Sequence, residues 1–427
     1  MTSKTSEVFA VIGGEGFLGA ALVSELLERY SPTQVASLGL TQRRFEPDNY
    51  RFFRTDITSP KSMLKALELS GATTVFHTAS PHANATAEVW QKVNVEGTQV
   101  VVDACKRAGV RKLVFTSSAT VVFEDEALKN VDERVPTVNL EGERGEPTYV
   151  STKAKAEKIV LDANGQGGLL TCSLRLSGII GPGDRQVIPG FIEVYKAYQS
   201  PFQMGSNENL FDFVTVKNVV HAHLLAAEKL DAAPLPLDTL ETRLRPVDCT
   251  IKRRRLPTSR RPEVQNEDER KGEVENEDGP LPASRNRWNQ FYEPSVVEGG
   301  GLTVAGQSFF ISNGEPVPFW SFARSVYYAY SGRPTPFVFQ LPASMGMLVA
   351  GMCELAGRVV GKRPEECGIN RKYMQYVLND MYFDIERARR LLGYEPIESL
   401  EEGVRSAVEW YKADEVRQRL RLAHNSK

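Results

Sequence analysis

A turn with three spaced glycines, Gly13-Gly14-Glu15-Gly16-Phe17-Leu18-Gly19, joins an apolar run at 8–12 to an amphipathic stretch at 17–29. A strand that turns this tightly into a helix opens a parallel sheet, because parallel neighbours need a crossover and that crossover is most often helical. The alternation continues, with short β-branched or aromatic runs at 34–38, 50–55, 74–77, 113–116 and 169–176. Between them lie helical stretches from Pro60 towards Gly71, over 87–108 and over 148–164. Ser59-Pro60 has the form of an N-cap followed by proline at the first helical position, and Gly71 and Gly109 are placed to end helices in the left-handed conformation. Right-handed crossovers then predict an α/β fold, a doubly wound parallel sheet of Rossmann type with a smaller, mainly helical C-terminal lobe.

The expected division is a dinucleotide-binding part over 1–176 and 211–230, and a substrate-binding lobe over 177–210 and 302–427. Between them, 231–301 is rich in proline and charge, with Lys252-Arg253-Arg254-Arg255 followed by an acidic tract. It reads as a solvated, mobile insertion. A net charge of −2 gives no field for nucleic acid, and none is expected as a partner. Five scattered cysteines without a Cys-x-x-Cys predict reduced thiols facing the cytosol. No stretch has the roughly 20 apolar residues that span a bilayer. The nearest, 341–353, reads as a buried helix or as one lying on a membrane surface.

The glycine turn fits a pyrophosphate. Gly13 makes the tight turn, Gly16 admits the phosphates and Gly19 packs helix on strand, while Gly14, Phe17 and Leu18 complete a helix start whose N–H groups are free for an anion. An acidic residue usually ends the second strand and holds the ribose 2′-hydroxyl of NAD. Here Gly39 leaves room, and Arg43 or Arg44 can pair with a 2′-phosphate, so NADP is expected over NAD. Asp56 and Ile57 after the third strand are candidates for the adenine; Thr78, Ala79 and Ser80 after the fourth, for lining the cofactor.

Tyr149 and Lys153 lie four residues apart on one predicted helix and share a face. A phenol is a weak base at neutral pH, and a neighbouring ammonium is expected to lower its pKa. Ser118 at the fifth strand's end is the candidate to hold a substrate oxygen, with Ser117 and Thr116 as alternatives. Tyr149 would then remove an alcohol proton as hydride leaves. His221 and His223 are two apart on a helix and diverge, so no metal site is expected. His77 and His82 read as structural. No Gly-x-Ser-x-Gly elbow supports a hydrolase.

At these residues the chain resembles extended short-chain dehydrogenases and, more narrowly, the 3β-hydroxysteroid dehydrogenase group, above all its fungal sterol-4α-carboxylate 3-dehydrogenase (decarboxylating) branch. Carrying the resemblance are the glycine turn, His77-Thr78-Ala79-Ser80-Pro81, Val93-Asn94-Val95-Glu96-Gly97-Thr98, Thr116-Ser117-Ser118 and Tyr149 with Lys153. Further matches are Gly181-Pro182-Gly183-Asp184-Arg185, Phe211-Asp212-Phe213-Val214 with Asn218, and Asn313-Gly314-Glu315-Pro316. The resemblance implies a steroid or triterpenoid 3β-alcohol substrate, Asn94 among the cofactor-site residues, a long insertion in fungal members, and association with the cytosolic face of the endoplasmic reticulum membrane through 337–360. It also implies that a 3-ketone beside a C4 carboxylate loses CO₂. Two departures stand out: Gly39 where the family commonly has Asp, and Ile12 where it usually has Thr. They suggest a paralogue serving secondary metabolism, where the same site could act as a ketoreductase without decarboxylation. The rival readings are a nucleotide-sugar epimerase on the same scaffold and a non-catalytic NADP-sensing scaffold.

Overall fold

The computed structural model describes residues 7–43, 50–82, 85–124, 126–142, 146–235, 302–360 and 370–425. The chain runs β1 (Phe9–Ile12), α1 (Phe17–Arg29), β2 (Val35–Gly39), β3 (Arg51–Arg54), α2 (Pro60–Ser70) and β4 (Thr74–His77). A helix then starts as α3 (Ala87–Trp90), widens into a π-turn over Gln91–Glu96 and ends as α4 (Gly97–Ala108). Next come β5 (Lys112–Ser118), β6 (Leu128–Val131), α5 (Tyr149–Asp162) and β7 (Leu170–Leu176). After these follow β8 (Gly178–Ile180), α6 (Val187–Lys196), β9 (Phe202–Met204), β10 (Leu210–Phe211), β11 (Phe213–Thr215) and α7 (Val216–Lys229). The remainder is β12 (Ser308–Ile311), β13 (Val317–Pro318), α8 (Phe319–Ser331), β14 (Phe339–Leu341), α9 (Ala343–Val359), α10 (Arg371–Leu378), β15 (Met381–Phe383) and α11 (Leu400–Asn425).

Seven strands form one sheet in the order β12-β7-β5-β4-β1-β2-β3, every pairing parallel. The order reverses between β1 and β4, and a crevice opens there at the strands' carboxyl ends. Both faces are apolar, as a covered parallel sheet requires. Phe9, Val11, Val35, Phe76 and Val114 pack with residues of α1, α7 and α11. Ala10, Ile12, Leu38, Val75 and Phe115 pack with residues of α2, α4 and α5. The caps read from the sequence are in place: Ser59 accepts the Ser62 N–H, and Gly71 and Gly109 sit at φ 65° and 73°.

One boundary differs from expectation. Residues 308–311, assigned to the substrate lobe, form β12 and extend the main sheet beside β7. The expected insertion falls mostly outside the described residues, but its ends meet: the Leu235 N–H donates to the Leu302 carbonyl at 3.1 Å. A smaller sheet, β13-β10-β15-β6, gathers segments from far along the chain.

Helix α5 is fixed to the sheet by a buried ion pair. Arg175 on β7 donates to Glu157 at 2.6 and 3.0 Å, and Ser173 adds a bond at 2.9 Å. Their side chains are 6% and 2% exposed. Cutting one partner strands a buried charge. Glu157→Ala should therefore lose about 3–5 kcal/mol in urea unfolding, whereas Glu157→Leu/Arg175→Met should recover most of that loss. Equal stability of single and double variants would contradict this.

Candidate active site

The glycine turn is shaped by close approach. Gly13 has φ +84°, and a Cβ there would lie 2.9 Å from the Ala79 backbone. A Cβ on Gly19 would overlap the Gly13 carbonyl oxygen, so α1 packs directly on the turn. The Gly13 N–H donates to the Leu38 carbonyl at 2.8 Å, and the Gly16 N–H to the Gly13 carbonyl at 2.9 Å. At the α1 N-cap, Gly16 makes no side-chain cap bond and is exposed, leaving the helix start open to an anion. Phe17 and Leu18 pack into the core, so their contribution to such a site is through backbone N–H groups. These features fit a dinucleotide pyrophosphate.

The neighbouring edges close around this turn. Thr78 Oγ1 donates to the Ile12 carbonyl at 2.9 Å, bringing 78–80 against it. Asp56 accepts from the Thr58 N–H and hydroxyl at 2.8 and 2.9 Å, while Ile57 packs on Gly97. Arg43 is exposed, and its backbone N–H donates to Glu15 Oε2 at 2.8 Å. Arg44 lies outside the described residues.

Helix α5 begins at Tyr149 because Thr148 and Ser151 cap each other: the Ser151 N–H donates to Thr148 Oγ1 at 3.1 Å and the Thr148 N–H to Ser151 Oγ at 2.9 Å. The half-buried Tyr149 lies beside Ser118 at the end of β5, near enough for the serine hydroxyl to act on the phenol's pKa. Ser118 Oγ also lies 2.8 Å from Thr120 Oγ1. The two alternatives point elsewhere: Thr116 Oγ1 is 2.8 Å from His223 Nε2, and Ser117 Oγ is buried with no hydrogen-bond partner. Asn94, in the π-turn, accepts from Ser80 at 3.1 Å and donates to Thr152 at 3.2 Å. It ties the β4 edge to the first turn of α5.

Lys153 departs from expectation. It is 3% exposed, and its ammonium donates to the Thr116 carbonyl at 2.6 Å, 4.6 Å from the centre of the Phe115 ring. Burial pulls its pKa down to about 8, with Glu157 acting in the opposite direction. The Tyr149 phenol is not lowered by it. Burial raises that pKa, and the Ser118 hydroxyl is the influence that favours phenolate. The ammonium is engaged with a carbonyl in this state. His77 and His223 are structural: burial holds them neutral, at about 3 and about 4.

Two aromatic neighbours carried no sequence signal. Trp90 meets the Tyr149 ring edge-on at 6.2 Å. Tyr376 on α10 sits near enough for its charge to couple to Tyr149, and packs edge-on against Phe123 and Phe211. Both come from segments whose only link to Tyr149 is tertiary.

Comparison with known proteins gives the family. The 3-beta hydroxysteroid dehydrogenase/isomerase family model matches residues 10–236. The sterol-4-alpha-carboxylate 3-dehydrogenase (decarboxylating) of Schizosaccharomyces pombe is 32% identical over 93% of this chain and 95% of its own length. That of Saccharomyces cerevisiae is 32% identical over 96% and 98%. Among solved structures, a Bacillus anthracis dTDP-glucose 4,6-dehydratase in complex with NAD aligns with TM-score 0.60 at 14% identity, covering 96% of this chain and 98% of that one. A Thermus thermophilus UDP-glucose 4-epimerase aligns with TM-score 0.58 at 19% identity, over 95% and 98%; these likenesses are of fold.

Lysine titration offers a check on the site. A Lys whose folded pKa is about 8, against about 10.5 unfolded, costs stability below pH 8 and ceases to do so above pH 10.5. Measured against Lys153→Met, the wild type should gain about 3 kcal/mol as pH rises through that window. A difference independent of pH would contradict the buried, depressed ammonium. By its sequence, this chain belongs to the 3-beta hydroxysteroid dehydrogenase/isomerase family.

Proposed function

We propose that the protein oxidises the 3β-hydroxyl of a sterol or triterpenoid 4α-carboxylate to the 3-ketone, after which the C4 carboxylate leaves as CO₂. The observation that carries this is that Tyr149, at the start of α5, lies beside Ser118 at the carboxyl end of β5, on a chain matching sterol-4-alpha-carboxylate dehydrogenases almost end to end. Ser118 holds the substrate hydroxyl, and Tyr149 takes its proton as the C3–H bond breaks. A nicotinamide dinucleotide would supply the hydride acceptor when bound, with Gly13–Gly19 holding its pyrophosphate and Lys153 its nicotinamide ribose. The new ketone is β to the carboxylate. The C4–carboxylate electron pair moves into the C3 carbonyl, CO₂ departs and the enolate is protonated at C4. A sensing scaffold has no need of the serine, tyrosine and lysine together.

The choice of dinucleotide turns on the edge between Gly39 and Arg43, where the sequence-based expectation of NADP meets the Glu15 carboxylate.

An apolar substrate needs a route from lipid. On α9, Leu348, Met352 and Leu355 are 65%, 63% and 64% exposed, with Met345 and Val359 continuing the stripe at helical spacing. Exposed Phe337 and Phe339 precede the helix. Among the described residues no helix is long and apolar enough to cross a membrane. We read α9 as lying on the cytosolic surface of the endoplasmic reticulum membrane.

Incubation with a 4α-carboxysterol and either dinucleotide should release CO₂ and yield the ketone. Tyr149→Phe should lower turnover by about 10²–10⁴-fold while binding dinucleotide normally. Unchanged turnover would remove Tyr149 from the mechanism. The decarboxylation reading falls if a 3β-hydroxysterol lacking the carboxyl is oxidised equally well and no CO₂ is formed from its carboxylated counterpart. Leu348→Glu/Met352→Glu/Leu355→Glu should abolish flotation with phosphatidylcholine vesicles yet keep the wild-type circular dichroism. Undiminished flotation would place membrane contact elsewhere.

A further inference from the structure

The strand end that lacks an acid of its own receives one from the glycine turn. Glu15 Oε1 accepts from Ser37 Oγ on β2 at 3.0 Å and from the Tyr50 hydroxyl just before β3 at 2.7 Å. Glu15 Oε2 accepts the Arg43 backbone N–H at 2.8 Å. Donors from the middle of β2, from the residues after it and from the residue before β3 thus hold one carboxylate beside the phosphate turn, next to the edge where β2 ends. In a doubly wound sheet the adenosine ribose lies at this edge, and the acid that takes its 2′-hydroxyl ordinarily ends β2. Residues 39–43, Gly-Leu-Thr-Gln-Arg, provide no such acid.

We infer that Glu15 is the specificity-determining residue for the ribose, standing in for the missing β2 acid and selecting NAD over NADP. This rests on the dinucleotide reading of the site and deepens it. A ribose 2′-hydroxyl donates a hydrogen bond that a carboxylate accepts. A 2′-phosphate brings about −2 of charge and only acceptors, so the same carboxylate repels it. The Arg43 N–H, a donor a 2′-phosphate would use, is already given to Glu15. NADP was expected because β2 carries no acid and arginines follow it. A side chain reaching that edge from a residue more than twenty positions earlier is invisible to such a reading.

The test is direct binding of NAD and NADP, by calorimetry, to the wild type, to Glu15→Gln and to Glu15→Gln/Gly39→Asp. The wild type should bind NAD at least about tenfold more tightly, and Glu15→Gln should move the NAD:NADP ratio at least about tenfold towards NADP. Gly39→Asp should return the preference to NAD, because a Cβ on Gly39 meets nothing within 4 Å. Tighter NADP binding by the wild type overturns the inference whatever the variants' stability, and so does a ratio that Glu15→Gln leaves unchanged. Either result leaves the dehydrogenase reading standing. Failure of the wild type to bind either dinucleotide removes both.

Discussion

The Glu157–Arg175 ion pair decides where the chemistry can happen, because it sets helix α5 on the sheet. Tyr149 and Lys153 ride on that helix, about two turns and one turn before Glu157, and meet Ser118 and the Thr116 carbonyl because α5 crosses β5 and β7 at this height. A charge pair buried this deeply adds little net stability compared with a well-packed apolar pair. Its value lies in allowing one register: a helix slid by a turn would leave a guanidinium and a carboxylate unpaired inside the protein. At the other end of the same helix, the Thr148–Ser151 cap and the Asn94–Thr152 bond fix the first turn, where the phenol sits.

The electrostatics of the site follow from enclosure. Burial raises Tyr149 and lowers Lys153, so each is pushed towards its neutral form and the two pKa values move apart. The expected direct lowering of the tyrosine by the lysine is absent because the ammonium is bonded to Thr116. Aromatic rings from α3 and α10 supply the apolar surroundings on the other side of the tyrosine.

Much of this was legible in the sequence where local rules govern it. The glycine turn, the β/α alternation and the caps at Ser59, Gly71 and Gly109 depend on neighbours within a few residues, and the structure has them. The π-turn at Gln91–Glu96 was not legible, since apolar spacing over 87–108 is that of a continuous helix, yet the extra residue is where Asn94 sits. Strand β12 was missed because the segment between Leu235 and Leu302 hides which sheet edge the chain returns to. Tyr149 and Lys153 could be paired by helical spacing alone; the Lys153–Thr116 bond and the reach of Glu15 to Tyr50 could not, because they join residues brought together only by the sheet.

The central claim is that hydride leaves C3 before the carboxylate leaves C4. It is tested most directly with a 4α-carboxysterol bearing deuterium at C3, followed by mass spectrometry of the reduced dinucleotide and by CO₂ release. The account predicts that the deuterium is found in the dinucleotide, and that no CO₂ forms when the dinucleotide is omitted. Deuterium retained at C3 of a decarboxylated product, or CO₂ released without dinucleotide, would contradict it.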